Sequence, residues 1–466
     1  ERLVGDVLLR DQRRRDLRVE RSVEHEVLHA DDRFVTSVWN MHTRKGPRTE
    51  LCGIEVFEAK DGKFIRCWNS SYVPGRWGRD GDTSVPANLA PPSLLSSPDG
   101  VTMGWLQSIF QHAGVEVPRI SMASSRPIGH GNLSTTLQTR ITYNANAARA
   151  VPSVVCKLTT GISQAQDIAA AYGVYTREVN AYQFLGDRPP LNVPRCYLAK
   201  ASGDGRVLNL VLEDLSERTR SGNQIAGCST ADARAVVVEF AKLHRAYWKD
   251  ARLKALPWLY NRAAFAEVAS TSYAKACDVF RQRFAGRIDG SYLDDMDRFI
   301  PHAGPMTRAL EGRGMTFIHG EARVDNVLFE DTPQGVKAWL IDWQFVDAGS
   351  PMYDTAYFLA GSLATSDRRA CEDDLIAMHQ SEIAGVDLSY DLAQARSEYA
   401  KSLPFALFTT VGAGLAVPEV LHQAPDYFVM RHLGTRDLAL TLRDADQRAQ
   451  LVAPPAQTVT VQSEHQ

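Results

Sequence analysis

Two short stretches carry acidic and amide side chains at places suited to chemistry. His319-Gly320-Glu321-Ala322-Arg323-Val324-Asp325-Asn326 lies between two apolar runs, Phe317-Ile318 and Val327-Leu328-Phe329. Asp342 follows Asn326 by sixteen residues, in Ile341-Asp342-Trp343-Gln344 at the end of a further apolar run. A loop and a strand end each present a carboxylate, and the loop adds an amide. That set suits phosphoryl transfer. In such a reaction Glu321 would accept the proton of an attacking hydroxyl, while Asn326 and Asp342 would hold Mg²⁺ on the phosphates of ATP.

The parts this chemistry needs upstream occur in the required order. The five-residue step from Glu321 to Asn326 equals the step from base to metal-binding amide in the protein-kinase catalytic loop. Ile128-Gly129-His130-Gly131-Asn132-Leu133-Ser134 is a glycine turn entering a strand, so Gly129, Gly131 and Ser134 are candidates to lie against phosphates. Lys157 closes the run Val154-Val155-Cys156-Lys157, which aims an ammonium at the same place. Glu178, on the next helix, is expected to brace it. Leu210-Val211-Leu212-Glu213-Asp214 reads as a hinge between lobes, with the backbone at Glu213 meeting the adenine.

The elements that position these groups are legible in part. Met103 to His112 reads as a helix, Leu133 to Tyr143, Ser153 to Leu158 and Val207 to Asp214 as strands, and Thr176 to Leu185 as a helix. Ala231 to Trp248 is a clear helix: Val236, Phe240, Leu243 and Tyr247 are spaced 4, 3, 4, and Ser229 or Thr230 can cap it. Short strands at Met315 to His319 and Val336 to Ile341 interrupt the helical second half.

Composition narrows the alternatives. The 466 residues are 44% hydrophobic and 23% charged, with 52 Lys+Arg against 55 Asp+Glu, a soluble globular profile that excludes bulk nucleic-acid or membrane binding. No apolar run reaches a bilayer span; the best, Phe405 to Val417, is short and carries two glycines and two threonines. The seven cysteines are odd in number, scattered and without a CxxC pair, which points to the reducing cytoplasm. The chain begins with Glu1, so its natural start is expected upstream. His319-x-Glu321 lacks the P-C-x-x-C of a zinc deaminase. No Walker A loop, G-x-S-x-G elbow or H-E-x-x-H helix occurs. The spacing of His25 and His29 would put both on one strand face, but no third metal ligand is evident.

Taken together, the ordered motifs resemble the aminoglycoside-phosphotransferase/choline-kinase superfamily, and within it the ecdysteroid-kinase-like branch. The resemblance runs from about Gly100 to about Leu451. It includes Ala241-Lys242-Leu243-His244-Arg245-Ala246-Tyr247-Trp248, similar to the LHA-type helix of that branch, and Asp354-Thr355-Ala356-Tyr357-Phe358-Leu359, similar to its D-x-AYFL segment. It implies an α+β, two-lobed protein-kinase-like fold, with a small β-rich N-lobe and a large helical C-lobe. It also implies Mg·ATP-dependent phosphorylation of a hydroxyl on a small molecule. His319 would brace the catalytic loop and Asp354 would anchor it. The family pattern at the loop is HGD, and Glu321 here is one methylene longer. A catalytically impaired nucleotide-binding scaffold is therefore the alternative reading.

Residues 1–73, through Glu50 to Phe57 and Asp61 to Trp68, resemble part of the cone-shaped α+β SnoaL-like domains. Leu17 to Leu28, Arg33 to Thr43, Glu50 to Glu58 and Lys63 to Tyr72 read as an antiparallel meander, with turns at Ala30-Asp31-Asp32 and Asp61-Gly62. The helices that close such a pocket would be missing or reduced to Arg10 to Arg18. Asn40 and His42 are inward candidates. A cyclase or isomerase activity here is a further alternative, and face-to-face pairing of such sheets makes a homodimer an expectation. A Pro/Gly-rich linker is expected over 74–100, the N-lobe over 101–215, the C-lobe over 216–455 and a tail over 456–466. The acceptor pocket would come from Ala251 to Ala309 and Ser366 to Leu451. Residues 361–466 hold 14 acidic and 8 basic residues, which favours a cationic acceptor such as an aminoglycoside or amino alcohol. The N-terminal resemblance favours a steroid- or polyketide-like one.

Overall fold

Strand alternation decides which way Lys157 points. The computed structural model describes residues 21–30, 33–43, 50–60, 63–69, 73–74, 92–129, 133–144, 150–224, 226–259, 262–284, 296–297, 300–309, 316–405 and 411. The chain folds as two compact units, residues 1–89 and 90–466.

In the first unit, β1 (Arg21–Ala30), β2 (Phe34–Thr43), β3 (Glu50–Lys60) and β4 (Lys63–Asn69) form an antiparallel sheet in that order. The two-residue β5 (Val73–Pro74) pairs with the start of β3. Val35, Trp39 and Phe57 are buried on it. The turns at 31–32 and 61–62, and the segment Arg10 to Arg18, lie outside the described residues. So do the side chains of His25, His29, Asn40 and His42.

The second unit opens with residues that were expected to be linker. Residues 92–100 instead pack on the following sheet. Leu95 exchanges backbone bonds with the buried Asn209 side chain at 2.7 and 2.9 Å, and the Trp105 indole donates to the Ser93 carbonyl at 2.9 Å. Helix α1 (Met103–His112) follows, capped by Thr102. The sheet comprises β6 (Ile120–Pro127), β7 (Ser134–Tyr143), β8 (Ser153–Thr159), β9 (Cys196–Ala201) and β10 (Leu208–Glu213) in the antiparallel order β6-β7-β8-β10-β9. Leu137, Ile141, Val154, Cys156, Leu158 and Val211 face α1. Successive side chains alternate between faces, so Lys157, paired opposite Leu210, lies on the other face. That face is covered by helix α3 (Val174–Leu185), whose Tyr175, Val179 and Tyr182 share a core with Leu208, Leu210 and Leu212.

Edge strands β6 and β9 and one helix of the β-rich lobe go beyond the sequence reading. Most of β6 is exposed, so it shows no alternation. Helix α2 (Ser163–Ala171) buries only Ala165 and Ala169 and so lacks a large apolar stripe.

The helical half is organised by α4 (Thr230–Ala246). Ser229 and Asp232 form a reciprocal capping box at its start, a device that contributes about 1 kcal/mol. Helices α5 (Arg262–Phe284), α6 (Ala303–Ala309), α7 (Met352–Ser362), α8 (Thr365–Ala384) and α9 (Leu392–Ser402) follow. Between α6 and α7 run β12 (Thr316–Ile318), β13 (Val327–Thr332), β14 (Gly335–Leu340) and β15 (Asp347–Gly349). β13 pairs with β14 and with the short β11 (Arg220–Ser221), and β12 pairs with β15. Phe317 of β12 stacks among Phe184, Tyr247, Trp258 and Trp343, joining α3 of the β-rich lobe to the helical lobe. Among the described residues, no helix is long and apolar enough to cross a membrane. The tail 456–466 and most of Phe405 to Val417 lie outside the described residues.

Candidate active site

The center of the site is a buried three-residue ion cluster. Lys157 Nζ donates to Glu178 and to Asp342 Oδ1, each at 2.8 Å. Glu178 is buried, while Lys157 and Asp342 keep 16% and 22% of their side chains exposed. Burial works against the ammonium, but the carboxylates of Asp342 and Glu178 outweigh it and hold Lys157 protonated. Burial also opposes the Asp342 carboxylate, and Lys157 outweighs it, so Asp342 stays ionised below its usual range. Glu178 is the deepest of the three. Burial pushes its pKa up to about 7 against the pull of Lys157.

Asp342 follows β14 with φ +68°, a left-handed backbone that a non-glycine residue rarely adopts. The conformation turns the carboxylate out of the strand line toward Lys157. Gln344, two residues on, was not anticipated as a site residue. Its amide lies 3.4 Å from Glu321 Oε2 and 3.5 Å from Asp342 Oδ2, so it bridges the two carboxylates. Arg177, next to Glu178 on α3, donates to the Gln344 carbonyl at 2.8 Å and to the Trp258 carbonyl at 3.2 Å. The helix carrying Glu178 is thereby tied directly to the segment carrying Asp342. No motif announces Arg177, because it acts on backbone carbonyls distant in sequence.

The acidic loop 319–326 is held from behind. Asp354, fully buried on α7, accepts the backbone N–H of His319 at 2.7 Å and of Gly320 at 2.9 Å. His319 bonds the Ile341 carbonyl at 3.0 Å, and burial lowers its pKa despite the nearby Asp354. Asn326 donates through Nδ2 to the Glu321 carbonyl at 3.0 Å, and its own carbonyl accepts from Ile341 N at 3.1 Å. These bonds place Asn326 beside the strand end that carries Asp342.

Glu321 is almost fully buried. Burial raises its pKa, and Arg323, with Nε 4.0 Å away, pulls against that. Arg323 also lies 3.7 Å from Asp325, so it is a mostly buried member of the loop's charge cluster. Gln224 clasps the loop from outside, its backbone bonding Asp325 at 2.8 Å and its side chain accepting from Val324 N at 3.2 Å.

On the opposite wall, Gly129 has φ +70° with open space where a side chain would be. Gly131 lies outside the described residues. Ser134 is buried at the start of β7. The Tyr175 hydroxyl donates to the Leu133 carbonyl and fastens the exit of the glycine turn to α3. The sequence reading missed this contact, since nothing in a tyrosine three residues from Glu178 signals it. Glu213 stands apart from the cluster. Its N–H is taken by the Arg195 carbonyl at 2.8 Å and its side chain pairs with Arg218 at 3.1 Å, so that backbone donor is engaged within the hinge.

The residues present fit a nucleotide-bridging Mg²⁺. With its Nδ2 end engaged, Asn326 has its Oδ1 end left for a ligand, and Asp342 adds a carboxylate. A small amide–carboxylate set suits Mg²⁺, which completes its shell with phosphates and water. Among the described residues no cluster of three or more His, Cys, Asp or Glu forms a self-sufficient metal site.

A β-rich lobe with a paired lysine and glutamate, set on a helical lobe that presents an acid, an amide and a second acid, has the architecture of the kinase-like fold. The Ecdysteroid kinase-like family model matches residues 129–386, more than half of the chain, and the chain belongs to that family. Among solved structures, an ethanolamine kinase from Plasmodium vivax matches with TM-score 0.41 and 10% identity, over 69% of this chain and 84% of that one. The GDP complex of a mutant aminoglycoside 2'-phosphotransferase-IIIa gives 0.42 and 14%, over 76% and 100%. An aminoglycoside phosphotransferase from Alicyclobacillus acidocaldarius gives 0.36 and 13%, over 70% and 92%. No curated protein matches the sequence.

Proposed function

We propose that the chain is a Mg·ATP-dependent kinase that phosphorylates a hydroxyl of a small molecule. The observation that carries this reading is the Glu178–Lys157–Asp342 cluster, which sets a fixed ammonium beside a carboxylate at the mouth of the catalytic loop. Lys157, braced by Glu178, orients the phosphates beneath the Gly129–Ser134 turn. Asn326 and Asp342 would hold Mg²⁺, which when bound neutralises charge on the transferring group. Glu321 orients the acceptor hydroxyl and takes its proton, and Arg323 and Gln344 fix the carboxylate that does so. Catalysis is then positioning and charge compensation. His319 and Asp354 hold the loop and touch no substrate.

The acceptor is proposed to bind among residues 251–309 and 366–451, of which 285–295 and 412–451 lie outside the described residues. The N-terminal resemblance supports a hydroxylated, steroid- or polyketide-like acceptor, and the acidic excess of 361–466 supports an amino alcohol or aminoglycoside. Residues 1–73 are proposed as a partial SnoaL-like domain, supported by the antiparallel order of β1 to β4 and the hairpin pairing of β3 with β4.

The test is thermal unfolding with and without Mg·ATP, beside Asp342→Ala. Nucleotide at about 100 times its Kd adds about 2.7 kcal/mol of stability. A shift that needs Mg²⁺ and is lost in Asp342→Ala is expected. No shift in the wild type at millimolar Mg·ATP would overturn the reading.

A further inference from the structure

Asp354 is a carboxylate with no access to water, and three N–H groups converge on it. Two are the loop amides of His319 and Gly320. The third is His244 Nε2 of α4, 3.1 Å from Oδ2. His244 Nδ1 in turn lies 3.0 Å from His379 Nε2 of α8, and His379 Nδ1 lies 2.8 Å from Thr355 Oγ1. All four side chains are fully buried. The two imidazole planes are 20° apart, which suits an in-plane N–H···N bond.

The proton positions follow from what each atom is able to do. An ionised carboxylate only accepts, so His244 Nε2 carries the proton. With His244 as a neutral imidazole, Nδ1 keeps a lone pair, which requires a proton on His379 Nε2; an imidazolium at His244 would reverse that bond. That leaves His379 Nδ1 as an acceptor for the Thr355 hydroxyl. Every donor in the chain points toward Asp354, and no buried polar atom of these four side chains lacks its bond. The chain also closes on itself, because Asp354 and Thr355 are consecutive residues of α7. Were His244 in the other tautomer, its lone pair would face the carboxylate and the third donor would be lost.

We propose that His379 and His244 are positioning residues: with Thr355 they form a buried relay that fixes the rotation of Asp354 and, through it, the backbone of the catalytic loop. The proposal rests on the phosphotransferase reading of that loop, but its test does not need turnover. Hydrogen–deuterium exchange is measured on the full chain as wild type, Asp354→Asn, His379→Leu and His379→Gln. The amide of Gln reproduces the Nε2 donor. Exchange at the His319 and Gly320 amides is expected to rise by about tenfold or more in Asp354→Asn and His379→Leu, as local opening becomes easier. It should stay near wild type in His379→Gln, with Ser134–Tyr143 unchanged throughout.

Wild-type protection in His379→Leu or in Asp354→Asn, or exposure in His379→Gln equal to that in His379→Leu, overturns the relay. Should His379→Leu not fold, ¹⁵N-histidine spectra of the wild type decide. Neutral Nε2–H tautomers for both histidines are expected, and an Nδ1–H tautomer or an imidazolium at His244 overturns the proposal. Loss of the nucleotide-binding reading alone would leave all of these results unchanged.

Discussion

Lys157 of β8 and Asp342 at the end of β14, 185 residues apart, share a 2.8 Å hydrogen bond across the two lobes. In this arrangement the ammonium that would orient phosphates is already in contact with the carboxylate that would hold their metal. One cation serves two carboxyl groups, so once Glu178 ionises the cluster carries a net negative charge that a divalent cation would offset.

Unequal costs follow for the three members. Lys157→Met strands two carboxylates and is expected to cost about 3–5 kcal/mol, the range for removing one partner of a buried pair. Asp342→Asn leaves the lysine its bond to Glu178 and is expected to cost clearly less. Urea unfolding of the two variants measures the order, and equal losses would contradict the cluster as described.

Glu178 supplies a pH dependence of definite sign. Its folded pKa, about 7, lies above the ordinary value of 4.5. Between these limits the folded state keeps a proton that the unfolded chain has released. The contribution is therefore fully present below pH 4.5 and is lost as pH rises through 7, with a slope of at most about 1.4 kcal/mol per pH unit. Stability of the wild type relative to Glu178→Gln should fall over that window. A flat difference would show that Lys157 keeps Glu178 ionised throughout.

Gly222 sits where the β11 segment crosses the catalytic loop. A Cβ there would lie 1.8 Å from the Val324 carbonyl oxygen, a backbone atom that has no rotamer to escape into. Gly222→Ala is expected to destabilise by about 1–3 kcal/mol or more and to weaken Mg·ATP binding. Thermal unfolding and nucleotide titration read the two effects, and a silent substitution would mean the loop can move aside.

Tyr175→Phe removes only the hydroxyl that tethers the glycine turn at Leu133. The stability loss should be small, about 0.5–1.5 kcal/mol, with a larger loss in nucleotide affinity. Calorimetric titration separates these, and unchanged affinity would limit the tether to a packing role.

Glu321 tests the chemistry directly. Glu321→Gln keeps shape but cannot take a proton, and a drop of about 10²-fold or more in turnover is expected. Mg·ATP binding should stay close to wild type. Turnover equal to wild type would remove Glu321 as the base.

The sequence by itself determined the order of the motifs and the periods of the elements that carry them. Glycine turn, lysine strand, glutamate helix and acidic loop are local patterns, readable because strand alternation and helical spacing are properties of consecutive residues. Elements with little burial escaped that reading: edge strand β6, with hardly a buried face, and helix α2, with alanines in place of a stripe. Residues 92–100 read as linker because their prolines and glycines mark breaks, while their packing on Asn209 and the sheet is a long-range matter.

Only the tertiary structure decided which of the patterned residues meet. Arg177 reaching the Gln344 carbonyl, Tyr175 holding Leu133, Gln344 bridging Glu321 and Asp342, and the His379–His244–Asp354 chain all join residues distant in sequence or rest on backbone atoms. Backbone carbonyls look alike in every sequence, and a buried histidine reads like any other until its neighbours are known. Glu213 shows the converse: its place in the hinge was legible, but the use of its N–H by Arg195 was fixed only when β9 and β10 came together.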